Sequence, residues 1–381
     1  MAPIGMEPAT SPGSLRGFCL SAELSLGGDG GAVFIRPLGL LGHATAAAAV
    51  EAGTALWLAG GPLAFAMVEV IVRHPDGRIA RASGPLAEVT DWAPAAGWLD
   101  ALSRRREPFA GVRLDRPAIL GVVNVTPDSF SDGGDFLDHG NAIAQGTALL
   151  DAGAAILDVG GESTRPGADP VSPEEEIRRV VPVVRHFAER GAVVSIDTRH
   201  AAVMAAALEA GAAVINDVTG LTGDPESLGV AVRSSVPVVL MHMRGEPRTM
   251  QQAPEYVDVA TDVYAYLAER VTACLNAGVR LENLCVDPGI GFGKTVAHNL
   301  ELLRHTAMFH GIGVPVLIGL SRKGFIGALS RKEPPKDRLA GSLAGAFASM
   351  GQGAQIIRVH DVAETYQARA LWLALEGQPP T

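Results

Sequence analysis

The sequence predicts an α/β chain in which a (β/α)8 barrel of the TIM type follows a small α+β module. Three observations carry this expectation. From Pro117 onward, apolar strand-like segments begin near residues 118, 155, 193, 213, 236, 284, 314 and 356, with helical stretches between them. Alternating β and α segments argue for a parallel sheet, and eight such units favour closure into a barrel. The segments are rich in Val and Ile on both faces, as expected for strands covered by helices. Nearly all of them end in polar residues, and in such a barrel the C-terminal strand ends share the face that holds the active site. An open doubly wound sheet of eight strands is the alternative architecture.

The elements follow in order. Residues 1–15, rich in Pro, Gly and Ser, are expected to be disordered. Residues 16–115 make the module. It holds strand candidates at 32–35 and 55–58, an Ala-rich helix at 43–52 between them, and an apolar run at 64–73. Asp76-Gly77 then signals a hairpin turn. No chemical constellation stands out in this module. A charged stretch, Arg104-Arg105-Arg106-Glu107-Pro108, separates it from the barrel, which is expected over residues 116–375. One barrel helix start is well marked. Ser172 is a natural N-cap, Pro173 suits the first helical position, and Glu174 to Glu176 favour the positive end of the helix dipole.

Composition narrows the partners. At 381 residues the chain exceeds the ~250 of a barrel alone, leaving room for one small module. A formal charge of −10 argues against a nucleic-acid partner, since such domains usually carry a basic patch. Cys19, Cys274 and Cys285 show no metal-ligand spacing, and an odd, sparse count suits a reducing compartment. Cys285 and Cys274 are read as small core residues. No secretory signal is visible at the start, and the most apolar window, 54–68, is broken by Gly60-Gly61-Pro62 and falls short of the ~20 residues of a membrane span. A cytoplasmic protein without a membrane segment is expected.

The strand ends carry the chemistry. Asn124 closes the first barrel strand and opens a polar loop, Asn124 to Gly134, suited to phosphate or hydrated metal. Its neutral oxygen suits Mg²⁺, which keeps most of its waters and binds substrate phosphates. In Gly160-Gly161-Glu162-Ser163-Thr164-Arg165-Pro166-Gly167, glycines allow close backbone approach, and Arg165 can grip an anion in a fork. Glu162 is read as a structural partner of Arg165 or of a neighbouring strand end. Asp197, Asn216 and Asp287 lie at three separate strand ends. Carboxylate acceptors and a bidentate amide suit a heteroaromatic ring with adjacent N–H and amino groups. Asp217 points to the other face and is read as a barrel–helix contact. Ser321-Arg322-Lys323 and Arg358-Val359-His360 complete the set. Arg358 and His360 share a side of the last strand, and with Arg165 and Lys323 they could line a cationic pocket for phosphate, pyrophosphate or carboxylate.

Two motifs fail. Gly293-Lys294-Thr295 resembles the end of a P-loop, but Pro288 stands where that loop needs glycine. The ten histidines contain no H-E-x-x-H, which argues against catalytic zinc, and His242 is read as a hydrogen-bonded core histidine.

Together these strings resemble the dihydropteroate synthase family. The matching pieces are residues 121–134, 158–167, 195–198, 215–217, 240–243, 287–294, 321–323 and 358–361, in family order over about residues 117–375. The resemblance implies a TIM barrel that joins p-aminobenzoate to 6-hydroxymethyl-7,8-dihydropterin diphosphate in folate synthesis, with Mg²⁺ accompanying the diphosphate. It implies a transferase in which sulfonamides compete for the aminobenzoate site, and a homodimer through barrel helices. Residue by residue, Asn124 matches the metal-side position, and Asp197, Asn216, Asp287 and Lys323 the pterin binders, with Asp197 and Lys323 catalytic. Thr164, Arg358 and His360 match the diphosphate side, and Arg165, Pro166, Phe292 and Ser321 the aminobenzoate frame.

Two departures stand out. Many members of the family have a second aromatic where this chain has Ile290, and the ~115-residue N-terminal extension lies outside the resemblance, a length that suits a separate module. That extension does not resemble the pterin kinase or aldolase fused to some synthases. The rival readings are a pterin-binding methyltransferase and a catalytically silent pterin-binding scaffold subunit. Residues 163–166 and 321–323 favour the synthase over the first, because a methyl donor carries no diphosphate. The presence of every expected site residue weighs against the second.

Overall fold

The computed structural model describes residues 31–92, 95–125, 135–163, 170–245 and 250–377, with the side chains of 135–138 left aside. The expectations for residues 1–15, Cys19, the loop 126–134 and Thr164, Arg165 and Pro166 therefore lie outside the described residues.

In chain order the module contains β1 (Ala32–Leu41), α1 (His43–Glu51), β2 (Leu56–Trp57), β3 (Ala64–Arg73), β4 (Ile79–Pro85), α2 (Ala87–Thr90) and α3 (Ala96–Ser103). β3 pairs antiparallel with β1, β2 and β4. Register sets Phe34 opposite Ile71 and Arg36 opposite Glu69, while Ile71 also faces Arg81. Because successive side chains alternate, Phe34, Arg36, Glu69, Ile71, Arg73 and Arg81 share one face. Val33, Ile35, Val68, Val70 and Val72 fill the other, and all five are buried.

The barrel strands are β5 (Ala118–Asn124), β6 (Ile156–Gly160), β7 (Val194–Asp197), β8 (Val214–Asp217), β9 (Val238–Met241), β10 (Leu284–Asp287), β11 (Leu317–Gly319) and β12 (Ile356–Val359). The helices between and after them are α4 (Asp135–Asp151), α5 (Pro173–Ala188), α6 (Ala201–Glu209), α7 (Ser227–Ser234), α8 (Val259–Ala277), α9 (Val296–Arg304), α10 (Gly324–Leu329), α11 (Leu339–Met350) and α12 (Val362–Leu375). All eight strands are parallel in the order β10-β9-β8-β7-β6-β5-β12-β11. A parallel bridge between Val286 and Val316 joins the two ends, so the sheet is a barrel and not an open doubly wound sheet. At α5, Ser172 accepts a bond from Glu175 N at 3.3 Å and Pro173 opens the first turn, as the sequence predicts.

Counting by twos along the strands separates the interior into layers. Ala118, Leu120, Ile156, Val214, Val239, Cys285, Leu317 and Ile356 form one apolar cluster at the strand starts, joined by Phe109 and Leu114. The segment after the charged stretch is thus more than a link, because Phe109 is fully buried against the barrel's N-terminal end. Arg106 is buried too, its guanidinium donating to the carbonyls of Ala101 and His310 at 2.8 Å each. Cys285 and Cys274 are buried free thiols, as expected of core residues.

The module shares the barrel's outer core. Phe34 and Trp98 pack on Tyr264 of α8, with ring centroids 5.5 and 4.9 Å away. Trp98 also closes on Gly311, in the 3-10 segment Thr306–Ile312 that precedes β11. Gly311 admits no side chain there, since a Cβ would lie 2.1 Å from the indole.

Candidate active site

Further along the same inward-facing rows, the side chains become polar. The rows that begin with Ala118, Ile156, Val214, Cys285 and Ile356 end in Asn124, Asp158, Asn216, Asp287 and Arg358, and β7 contributes Asp197. Placing so many polar groups at the strand ends is costly unless they satisfy one another. Several of them do so around a buried carboxylate, Asp158, through its Oδ2 alone. Arg358 Nε donates to Asp158 Oδ2 at 2.7 Å, and Asn216 Nδ2 donates to the same oxygen at 3.1 Å. The guanidinium also reaches the next strand, with Nη2 donating to Asp197 Oδ2 at 2.6 Å.

Burial pushes the Asp197 carboxyl up to about 7, against the opposing pull of Arg358. Burial likewise raises Asp287, opposed by Lys323 and by the Gly289 N–H, which donates to Asp287 Oδ1 at 2.7 Å. Lys323 is driven down to about 7 by burial, with Asp287 opposing. Its ammonium donates to the Ile290 carbonyl and lies 4.4 Å from the centre of the Phe292 ring. Desolvation would weaken the Arg358 cation, but Asp158 and Asp197 outweigh it and hold the charge in place.

The loop after β10 owes its shape to glycine. Gly289 and Gly291 have φ of 68° and 86°, where only glycine is unstrained. A Cβ on Gly289 would lie 1.9 Å from the His242 carbonyl oxygen, and one on Gly291 would lie 2.8 Å from Lys323 Cδ. This path turns Ile290 wholly into the core and leaves Phe292 half-buried beneath Lys323. The departure at Ile290 is therefore a core change, and its backbone carbonyl is the part that meets the site.

Ser321 Oγ accepts from His360 N at 3.2 Å and lies 3.1 Å from His360 Nδ1, bringing together an aminobenzoate candidate and a diphosphate candidate. Arg322 turns away and pairs with Asp361. Asp217 is spent on the turn after β8, accepting from Thr219 N and Oγ1 and from Leu221 N. Glu162 binds Arg199, beyond the neighbouring strand β7, through two 3.0 Å bonds. A carboxylate–imidazole group of Glu162, Glu176 and His200 has the spacing of metal ligands, but Arg199 already occupies Glu162.

Two residues were passed over in the sequence. Asp158 opens the matching stretch 158–167, and its place two residues before Gly160 on the inward row was the available signal. Lys294 was dismissed along with the failed P-loop. It is buried, with Nζ 2.9 Å from His242 Nδ1 and donating to the Phe292 carbonyl at 3.0 Å. His242 is a core histidine held by that lysine, and burial and then Lys294 drive its pKa down to about 2.

A family model described as pterin binding enzyme matches residues 120–360. The chain is 48% identical to the dihydropteroate synthase of Escherichia coli strain K12 over 256 residues, which is 67% of this chain and 90% of the relative. This chain belongs to the dihydropteroate synthase family. Solved structures agree. The Xanthomonas albilineans dihydropteroate synthase with 4-aminobenzoic acid superposes with a TM-score of 0.66 at 48% identity, covering 70% of this chain and 95% of that one. The Yersinia pestis dihydropteroate synthase in a sulfonamide drug complex gives a TM-score of 0.67 at 45% identity, covering 70% and 96%. The N-terminal module lies outside the matched family region, which begins at residue 120.

Proposed function

We propose that this chain condenses 6-hydroxymethyl-7,8-dihydropterin diphosphate with p-aminobenzoate to give 7,8-dihydropteroate and pyrophosphate. The observation that carries the reading is the inward polar layer, in which Asp158, Asp197, Asn216, Asp287 and Arg358 converge beside Lys323. Asp197, Asn216, Asp287 and Lys323 hold the pterin, whose adjacent N–H and amino groups suit carboxylate and amide acceptors. Arg358 and His360, with Thr164, face the diphosphate. Phe292 and Ser321, with Arg165 and Pro166, frame the aminobenzoate.

The substitution is S_N1-like. The C–O bond to pyrophosphate breaks first, and the exocyclic methylene cation is delocalised into the dihydropterin ring. Asp197 stabilises that carbon electrostatically. The neutral aromatic amine then attacks and loses its proton afterwards, so no strong general base is required. Asn124, the last inward residue of β5, offers the single neutral oxygen that fits Mg²⁺ held mainly by water and substrate phosphate. When bound there, the ion neutralises charge on the departing oxygens.

No described helix is long and apolar enough to cross a membrane, and the location we favour is the cytoplasm. The assembly we favour is a homodimer. Leu371 and Leu375, one turn apart on α12 and 59% and 60% exposed, are the apolar pair its interface would cover. The test of function is product analysis of purified protein given both substrates and Mg²⁺. Formation of 7,8-dihydropteroate supports the reading, and intact substrates after prolonged incubation refute it.

A further inference from the structure

The barrel-facing side of the module sheet carries more charge than a simple packing surface needs. Arg81 Nη2 pairs with Asp258, and Arg73 Nη1 pairs with Asp262 at 2.5 Å. Both carboxylates already have structural work at the start of α8. Asp258 is its N-cap, accepting from Thr261 N at 2.9 Å, and Asp262 accepts from Val257 N at 3.0 Å. Glu69 lies 3.5 Å from Arg81 and 3.2 Å from Arg36, so the arginines sit in a shared network. Arg36 extends it to the Arg304 carbonyl at 2.8 Å.

The residues just before α8 lead into the site. Tyr256 Oη donates to the Gly293 carbonyl at 2.8 Å, and Gln251 Nε2 donates to the Gly291 carbonyl at 2.7 Å. Those two carbonyls flank Phe292, which lies under the Lys323 ammonium. Arg244 locks the same stretch by donating to the Glu255 carbonyl and lying 5.0 Å over the Tyr256 ring. A continuous path therefore runs from Arg73 and Arg81 through Asp258, Asp262 and Tyr256 to the backbone on either side of Phe292.

We propose that the N-terminal module is a brace whose Arg73 and Arg81 fix the 250–258 segment and thereby position Phe292 for the aminobenzoate. Arg73 and Arg81 are positioning residues, and the proposal rests on Phe292 framing the aminobenzoate as given above. The brace acts mainly on one substrate. Of the pterin binders, Asp197, Asn216 and Asp287 are held by the strands themselves and by Asp158, Arg358 and Gly289, and Lys323 alone touches the braced loop. A general scaffold would affect folding and both substrates alike.

The test uses the full chain carrying Arg73→Ala and Arg81→Ala together. Arg73→Lys with Arg81→Lys serves as the rescue. Arg36→Gln reaches Arg81 only indirectly, through Glu69, and serves as the graded comparison. KM for each substrate and kcat are measured, together with amide hydrogen exchange over residues 250–258. The brace predicts a KM for p-aminobenzoate raised roughly 3- to 30-fold, with KM for the pterin diphosphate changed by less than about twofold. It also predicts faster exchange over 250–258, partial recovery in the lysine pair, and a smaller rise in the aminobenzoate KM for Arg36→Gln than for the alanine pair. An unchanged aminobenzoate KM, or an equal rise for both substrates, overturns it. If the unaltered protein shows no turnover, the functional reading fails and exchange alone decides. Faster exchange in the alanine pair than in Arg36→Gln then supports the brace, and equal exchange overturns it.

Discussion

Arg358 and Asp197 meet across the mouth of the barrel, guanidinium Nη2 to carboxylate Oδ2, at 2.6 Å. The same guanidinium holds Asp158, so one cation organises carboxylates from two neighbouring strands. Arg358 is therefore committed before any substrate arrives, and its first task is to hold two acids correctly aimed. Lysine, a point charge, cannot span both acceptors. Arg358→Lys should lower kcat/KM by about 10²-fold, as loss of a preorganised electrostatic contact does. Steady-state kinetics on the folded variant, with circular dichroism as a check, decides the point.

The two titrating groups predict the pH profile. Asp197 must be ionised to stabilise the cationic carbon, and its carboxyl is raised to about 7, so activity rises with pH through that region. Lys323 must be protonated to serve as a cation, and its ammonium is lowered to about 7, so activity falls as pH climbs past it. A narrow bell centred near neutrality follows, and its limbs belong to the coupled set of groups. Arginine does not titrate in this range, so Lys323→Arg should flatten the alkaline limb in whatever activity remains. A profile of kcat/KM from pH 5 to about 10 tests this.

Glu176 predicts a stability effect unrelated to turnover. It is fully buried on α5, and a Thr198 hydrogen bond only partly offsets the cost of ionising it there. Burial raises its pKa to about 8. The folded protein keeps the proton that the unfolded chain releases near 4.5, so stability falls as pH rises from about 4.5 to 8 and levels off above. Glu176→Gln should be more stable than the parent at pH 8 and should lose most of that slope. Thermal melts of both proteins at pH 5, 6.5 and about 8 will show it, and parallel curves would refute it.

Gly291→Ala should damage the site more than the fold. Its φ of 86° disfavours any side chain, and the added carbon would lie 2.8 Å from Lys323 Cδ. The lysine stem can shift, which moves the ammonium off the Phe292 ring. A stability loss of about 1–2 kcal/mol is expected, with a larger proportional loss in kcat/KM. Equal losses, or none in activity, would show that Lys323 tolerates displacement.

The barrel was legible because its signal is periodic. Strand starts read from apolar runs match the structure within a few residues, the largest offset being at β11, where Val316 bridges to Val286 of β10 before regular pairing begins. Asn216, Asp287 and Lys323 were legible for the same reason, since strand ends converge wherever the strands are found. Asp158 was not, because its importance lies in a partner 200 residues away that no local pattern announces. Arg106 was read only as one of a charged stretch, and Phe109 beside it carried no signal of its own, so one buried guanidinium and one buried aromatic were missed. The pairing of Arg73 and Arg81 with Asp262 and Asp258 was equally hidden, because single charges on strands carry no mark of the surface they will meet.

The most direct measurement is pyrophosphate release from 6-hydroxymethyl-7,8-dihydropterin diphosphate in Mg²⁺, with and without p-aminobenzoate, for the parent protein and Asp197→Asn. The account predicts release that yields 7,8-dihydropteroate only when the amine is present, and a loss of about 10²-fold or more in the variant. Full turnover by Asp197→Asn with an unchanged pH profile would contradict the role given to that carboxylate. Tight binding of the pterin diphosphate with no turnover by the parent would contradict the synthase reading itself.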